Sequence, residues 1–166
     1  MKTGIMGTHG TGKTTLALCL AADLKKNHPG EKVGLLTEVA RACPFPVNEN
    51  ATREAQLWIF HRQMTAEIEM TAQNEMLICD RTILDSLAYS QWAGFEDIVA
   101  TYLPIALDWM DTYDEIFFMQ SNNGLADDGF RSIEPEFQKG INLILKRWLK
   151  LYDLTYTSAC TGEKTI

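Results

Sequence analysis

The sequence has few cysteines and histidines, and it has no long hydrophobic run. No two cysteines are close enough to form a CxxC motif, and none has a histidine at ligand spacing, which excludes a local zinc site or redox pair. No run approaches the roughly 20 apolar residues that span a bilayer, and the first residues turn to glycine and threonine too early for a signal peptide. We therefore expect a soluble, cytoplasmic protein with no membrane partner.

Positive charge is also scarce, because 15 Lys and Arg residues stand against 22 Asp and Glu residues, a formal net charge of −7. This balance opposes general affinity for polyanions such as nucleic acids or an anionic membrane surface. Any phosphate group that the protein binds must therefore be held by a local device.

Internal repeats, low-complexity tracts and linkers rich in proline or glycine are absent from the 166 residues. We expect residues 1–166 to form a single domain, because this length is typical of one hydrophobic core. Short apolar runs alternate with longer segments of helical periodicity, which predicts an α/β fold with about five parallel strands and helices on both faces. The candidate strands span residues 2–6, 32–37, 76–79, 115–120 and 154–158.

Four segments have the apolar spacing of helices. The first is expected to bury a face that includes Cys19, and the second, over 52–73, a stripe that ends at Ile68. In the third, over 96–113, Pro104 is expected to kink or split the helix. The fourth spans 135–151.

A phosphate-binding loop directly follows the first strand and opens the first helix. It fills every fixed position of GxxxxGK[ST] with Gly7, Thr8, His9, Gly10, Thr11, Gly12, Lys13 and Thr14. The glycines let successive backbone N–H groups turn toward phosphate oxygens, and the helix N-terminus adds partial positive charge. Lys13 is expected to contact the β- and γ-phosphates of ATP, and Thr14 to ligate Mg²⁺. Thr15, the next residue of the helix, is a further candidate to bind the nucleotide.

Carboxylates follow the second and third strands, where open parallel sheets bind their ligands. Glu38 comes after the second strand, and Asp80, followed by Arg81, ends the third. Asp80 is expected to hold Mg²⁺ with Thr14, while Glu38 is a candidate to orient or deprotonate an acceptor hydroxyl. The reverse assignment, with Glu38 at the metal and Asp80 at the acceptor, stays open.

Each of these residues has a structural alternative. Thr82 and Asp85 form a capping-box pattern, so Asp80 and its neighbours also fit the start of a helix. Glu38 also fits a solvated strand end, and Arg41 fits either an ion pair with Glu38 or a contact with substrate.

The segment 121–134 combines turn residues with Arg131 and is a candidate lid. An arginine carried by a closing lid would stabilise charge on a transferring phosphoryl group. An ordinary exposed loop is an equally supported interpretation of this segment. Trp58 and Trp92 are candidates to flank a base, with core packing as the more common role for such residues.

Together, GTHGTGKT, TEVAR, the EAQ helix, CDRTILDSLAY and DDGFR resemble the small P-loop nucleoside and nucleotide kinases. The resemblance is closest to the nicotinamide-riboside kinase domain of the bacterial NAD repressor and the ATP-binding AAA-type proteins grouped with it. It also extends to thymidylate and deoxynucleoside kinases. It implies ATP and Mg²⁺ at the loop, a second pocket between Glu38 and Arg81, and Arg131 as the lid arginine.

We therefore expect an ATP- and Mg²⁺-dependent phosphotransferase acting on a nucleoside, nucleotide or related small metabolite, with Lys13, Glu38, Asp80, Arg81 and Arg131 in catalysis. The main alternative is a regulatory module that binds and hydrolyses a nucleoside triphosphate without a small-molecule acceptor. A polynucleotide kinase is a weaker option, because no basic stripe is present to follow a strand. The acceptor and the oligomeric state are not determined by the sequence.

Overall fold

The computed structural model describes residues 1–120 and 134–159. The described strands are β1 (Lys2–Met6), β2 (Val33–Leu36), β3 (Met76–Asp80), β4 (Glu115–Met119) and β5 (Thr157–Ala159). The described helices are α1 (Lys13–Asn27), α2 (Arg53–Thr71), α3 (Ile83–Trp92), α4 (Glu96–Met110) and α5 (Pro135–Leu151). Two short 3₁₀ turns, Val39–Ala42 and Asn48–Asn50, lie between β2 and α2.

All five strands are parallel and form one sheet in the order β2-β3-β1-β4-β5. The predicted α/β class and the five-stranded parallel sheet are thus confirmed, although β5 begins three residues later than expected. β1 is central, with β3 on one side and β4 on the other. The carboxyl end of β1 therefore lies where the strand order reverses, which is the usual ligand site of such sheets.

The alternation of side chains along the strands separates two hydrophobic layers. On one face, Ile5, Ile78 and Phe117 pack with Leu16 and Leu20 of α1. On the other face, buried side chains of β1, β3 and β4 pack with α2, α3, α4 and α5; they include Met6, Leu77, Cys79, Ile116 and Phe118. Helices therefore cover both faces, as the sequence predicts.

The buried faces of the first two helices differ from the expectation at one residue each, and the other expected residues of both faces pack into the core. In α1, Cys19 is exposed and Ala17 is buried, because a small residue allows the helix backbone to approach the sheet closely. In α2, Ile68 is 57% exposed, and the buried face also carries polar side chains that include Gln63 and Glu67. Apolar periodicity cannot identify polar residues whose burial is compensated by hydrogen bonds.

Pro104 does not split the third helical segment, because α4 is a single helix from Glu96 to Met110. Buried side chains on both sides of the proline anchor the two halves to the same core; they are Ile98, Val99, Ala106 and Met110. No helix within residues 1–120 or 134–159 has the length and apolar character needed to cross a membrane.

Candidate active site

Three glycines shape the loop between β1 and α1. Gly7, Gly10 and Gly12 have φ values of 144°, 72° and 84°, a region that side chains with a Cβ rarely adopt. A Cβ at Gly7 would also lie 2.8 Å from the Met119 carbonyl oxygen of β4. The loop therefore needs glycine for its backbone path and, at Gly7, for its close approach to the sheet.

Lys13 is buried inside this loop. Its Nζ donates a 2.5 Å hydrogen bond to the Thr8 carbonyl, and Thr11 Oγ1 donates a 2.9 Å bond to the same oxygen. Burial, with a further contribution from the Arg81 guanidinium, lowers the pKa of Lys13 to about 7. A bound triphosphate would favour the ammonium form, because a nearby negative charge stabilises it.

Thr14 and Asp80 meet as the sequence predicts. The Thr14 hydroxyl donates a 2.6 Å hydrogen bond to Asp80 Oδ2, while Thr15 is exposed. Within residues 1–120 and 134–159, no group of three or more His, Cys, Asp or Glu side chains could hold a metal. The pair nevertheless fits Mg²⁺, which typically takes one or two protein oxygens and completes its shell with water and phosphate oxygens.

Glu38 and Arg81 form a buried ion pair. Arg81 Nε and Nη2 lie 2.7 and 2.5 Å from Glu38 Oε1, and the side-chain exposures are 10% and 5% for Arg81 and Glu38. Arg41 Nε lies 3.4 Å from the other Glu38 oxygen, and the Arg41 side chain is 44% exposed. The alternative in which Glu38 is a solvated strand end is therefore wrong, and Arg41 pairs with Glu38 from the more exposed side.

The backbone of Arg81 is strained, with φ at 120°, an uncommon value for a residue with a side chain. Immediately after it, the predicted capping box is confirmed, because Asp85 Oδ2 accepts 2.8 Å hydrogen bonds from the backbone N and the hydroxyl of Thr82. The other Asp85 oxygen accepts a 2.9 Å bond from Gly7 N. Asp85 therefore joins the start of α3 to the start of the phosphate loop, a role that the sequence pattern did not reveal.

A cavity lies between α2, α3 and the segment after β2. Glu38 and Arg81 line it together with His9 of the phosphate loop. The remaining lining residues are mixed apolar and polar; they include Val47, Asn48, Gln56, Ile59, Gln63, Ser86 and Tyr89. The second pocket that the resemblance implies is therefore present, and it adjoins the phosphate loop at His9.

Tyr89 links the loop to the ion pair. Its hydroxyl lies 3.2 Å from His9 N and 3.4 Å from Arg81 Nη2, and its ring centroid lies 5.1 Å from Arg81 Cζ. Phe137 of α5 stacks on the His9 ring at 5.2 Å, and Gln138 Nε2 donates a 2.9 Å bond to the His9 carbonyl. Sequence reasoning missed Tyr89 as a site residue, since a tyrosine inside a helical segment is indistinguishable from a core residue.

Two other candidates lie away from the cavity. Neither Trp58 nor Trp92 lines it, and the Trp92 ring packs so closely on α5 that a Cβ at Gly140 would lie 1.8 Å from Trp92 Cζ3. Arg131 and the expected lid up to residue 133 lie outside the described residues.

The fold is shared with solved nucleoside and nucleotide kinases. A thymidylate kinase from Ehrlichia chaffeensis superposes with a TM-score of 0.70 at 19% identity, covering 100% of this chain and 89% of that one. A deoxyadenosine kinase from M. mycoides with bound dATP superposes at 0.67 and 17% identity, covering 99% and 93%. No curated protein sequence matches the chain. A family model described as an AAA domain matches residues 2–163, and the chain therefore belongs to this family of P-loop AAA domains.

Proposed function

We propose that this protein is an ATP- and Mg²⁺-dependent phosphotransferase that phosphorylates a nucleoside, nucleotide or related small metabolite. The observation that carries the proposal is the junction at His9, where the phosphate loop meets a cavity lined by the buried Glu38–Arg81 pair. A simple nucleotide-hydrolysing switch has no need of such a second cavity beside its phosphate loop.

On the donor side, the loop amides and Lys13 would bind the β- and γ-phosphates of ATP. The buried position of Lys13 beside the Thr8 carbonyl suits it to a phosphate contact that excludes water. Thr14 and Asp80 would hold Mg²⁺, which when bound neutralises charge on the phosphates.

On the acceptor side, Glu38 would accept a hydrogen bond from the attacking hydroxyl and align it with the γ-phosphate. Two guanidinium groups contact Glu38, and a carboxylate in such ion pairs is suited to orienting the hydroxyl first and accepting its proton late. Late proton transfer is compatible with phosphoryl transfer, whose transition state is largely dissociative in most analyses.

Arg81 would supply positive charge on the same side. Its Nη1 is buried without a hydrogen-bond partner among the described residues, 3.9 Å from Asp85 Oδ1, so it has a donor to offer an anionic or hydroxyl group. By the resemblance, Arg131 would add a further cation at the γ-phosphate.

The acceptor class is proposed from two sources. The fold is that of solved deoxyadenosine and thymidylate kinases, and the sequence resembles a nicotinamide-riboside kinase domain. The cavity combines apolar walls with amide, hydroxyl and phenol groups, which suits a polar heterocycle joined to a sugar.

A paired screen tests the proposal. Nucleosides, nucleotides and pyridine ribosides are tested with ATP and Mg²⁺ for thermal stabilisation and for phosphate transfer, with Lys13→Ala protein as the blank. We expect at least one compound to raise the melting temperature of the parent protein and to be phosphorylated by it but not by the variant. Slow ATP hydrolysis that no compound changes would instead support the regulatory switch.

A further inference from the structure

We propose that Gln63 is a positioning residue that holds the Arg81 guanidinium against Glu38 by fixing the peptide group that follows the strained φ angle of Arg81. Gln63 lies on α2, is 2% exposed, and donates from Nε2 to the Arg81 carbonyl at 3.2 Å. The inference deepens the proposed function, because it assigns a support for the acceptor side of the same site.

The peptide bond after Arg81 is held from two directions. Gln63 donates a hydrogen bond to the carbonyl of Arg81 on one side of this peptide bond. On the other side, the Thr82 N–H donates a 2.8 Å hydrogen bond to Asp85 Oδ2. Because Arg81 has φ at 120°, the backbone tends to relax toward a more populated conformation unless its neighbours fix it. Such a relaxation would rotate the Arg81 side chain away from Glu38.

The amide of Gln63 is itself fixed by Glu67. The same Nε2 donates a 2.8 Å hydrogen bond to Glu67 Oε1, so both neighbours of this atom are acceptors. The amide therefore has its NH₂ group, and not its oxygen, on the side facing Arg81. A neutral amide also suits this place better than a carboxylate, which would repel both oxygens.

Glu67 is held in place because it is wholly buried and each of its carboxylate oxygens accepts two hydrogen bonds. Its Oε2 accepts bonds from Lys2 Nζ and Trp109 Nε1, both at 2.8 Å, and its Oε1 accepts a 2.7 Å bond from the Tyr113 hydroxyl. Gln63 thus connects the buried Glu67 carboxylate in the core to the backbone of Arg81, whose side chain pairs with Glu38.

The test uses the Arg81 Nε–H signal in a proton–nitrogen NMR spectrum of the folded protein without nucleotide or acceptor. The chain has six arginines, and the Arg81→Lys variant assigns the signal by its loss. Gln63→Met keeps the side-chain length and removes both donor contacts. Gln56→Met is the matched control, since Gln56 lies on the same helix, lines the same cavity and is similarly buried, at 3% exposed, but does not bond Arg81.

We expect the Arg81 signal to shift or broaden in Gln63→Met protein and to stay in place in Gln56→Met protein. If Gln63→Met does not fold, Gln63→Asn replaces it, because its amide is one methylene too short to reach both Glu67 and the Arg81 carbonyl. An Arg81 signal unchanged by loss of the Gln63 contacts overturns the inference. This measurement needs no enzymatic turnover, so its outcome is independent of whether the proposed function holds.

Once an acceptor is known, a double-mutant cycle separates positioning from substrate contact. Gln63→Met should lower kcat/KM for the acceptor about 10- to 100-fold, as small misplacements at an active site do, and leave the ATP dissociation constant within about twofold. In an Arg81→Lys background the same change should cost less than about threefold, because Gln63 acts through Arg81. Equal losses in the two backgrounds would make Gln63 a direct substrate contact and overturn its positioning role.

Discussion

Arg81 Nε lies 2.7 Å from Glu38 Oε1, although 43 positions separate the two residues in the sequence. They meet because β2 and β3 are neighbours in the sheet: Glu38 follows the carboxyl end of β2, and Arg81 follows the carboxyl end of β3. The pair therefore places a carboxylate and a guanidinium on one wall of the cavity beside the phosphate loop.

Glu38→Gln is expected to separate acceptor chemistry from nucleotide binding. The amide preserves size but not charge, so it cannot accept the proton of the attacking hydroxyl. We expect phosphate transfer to fall by about 10²- to 10⁴-fold, the usual contribution of a general base. Affinity for ATP with Mg²⁺, measured by calorimetry, should change by less than about twofold.

The control for Glu38→Gln is Glu136→Gln at the exposed start of α5, where the side chain is 81% accessible. A parallel loss of affinity for ATP with Mg²⁺ in Glu38→Gln would show that Glu38 serves the metal and not the acceptor.

Lys13→Ala is expected to weaken ATP binding and to lower turnover, because the ammonium contacts phosphates in both the ground and the transition state. Loss of a charge-assisted hydrogen bond costs about 1.5 to 3 kcal/mol, or roughly a 10- to 150-fold rise in the ATP dissociation constant. Lys139→Ala, at an exposed site on α5, is the matched control and should leave both quantities unchanged. Unaltered affinity and rate in Lys13→Ala would remove the phosphate-loop assignment.

Asp80→Asn should change the dependence of transfer on Mg²⁺. The amide has no charge to attract the cation, so more Mg²⁺ is needed for half-maximal rate, while ATP binding measured without Mg²⁺ is nearly preserved. The measurement is a Mg²⁺ titration of transfer beside ATP calorimetry in EDTA. A Mg²⁺ profile identical to that of the parent protein would leave Asp80 with only its hydrogen bond to Thr14 as a role.

Much of this site was predictable because it is local in the sequence. The loop from Gly7 to Thr14 and the capping box at Thr82 are short-range patterns with one physical meaning each. The strand-end positions of Glu38 and Asp80 follow from strand periodicity alone. The sequence also paired Asp80 with Thr14 through a shared Mg²⁺, whereas it did not predict the ion pair between Glu38 and Arg81.

The rest depends on contacts between distant segments. Gln63, Glu67 and Tyr89 are placed by the packing of α2 and α3 against the sheet. In the sequence, the two polar residues of α2 look solvent-facing and Tyr89 looks like an ordinary core residue. Asp85 was predicted as a helix cap, yet its second oxygen bonds Gly7 across 78 positions. No local pattern encodes that contact.

The buried Lys2–Glu67 pair, with side chains 8% and 0% exposed, is expected to be a stability element. Glu67→Gln leaves the Lys2 ammonium buried without its counter-charge and should lower the free energy of unfolding by about 3 to 5 kcal/mol. The double variant Lys2→Met, Glu67→Gln should lose less than Glu67→Gln alone, because the unpaired charge is gone. Urea unfolding of the parent protein, the two single variants Lys2→Met and Glu67→Gln, and the double variant measures this, and additive losses would show that the two charges do not interact.

Phosphoryl transfer itself is measured by following the γ-phosphate of ATP with phosphorus NMR, in the presence of Mg²⁺ and an acceptor that stabilises the protein. We expect ADP and the phosphorylated acceptor to appear in equal amounts, the acceptor as a phosphate ester if a hydroxyl is phosphorylated and as a diphosphate if a nucleotide phosphate is, and Lys13→Ala to abolish both. Inorganic phosphate as the sole new phosphorus product besides ADP, formed at a rate that no acceptor alters, would contradict this expectation.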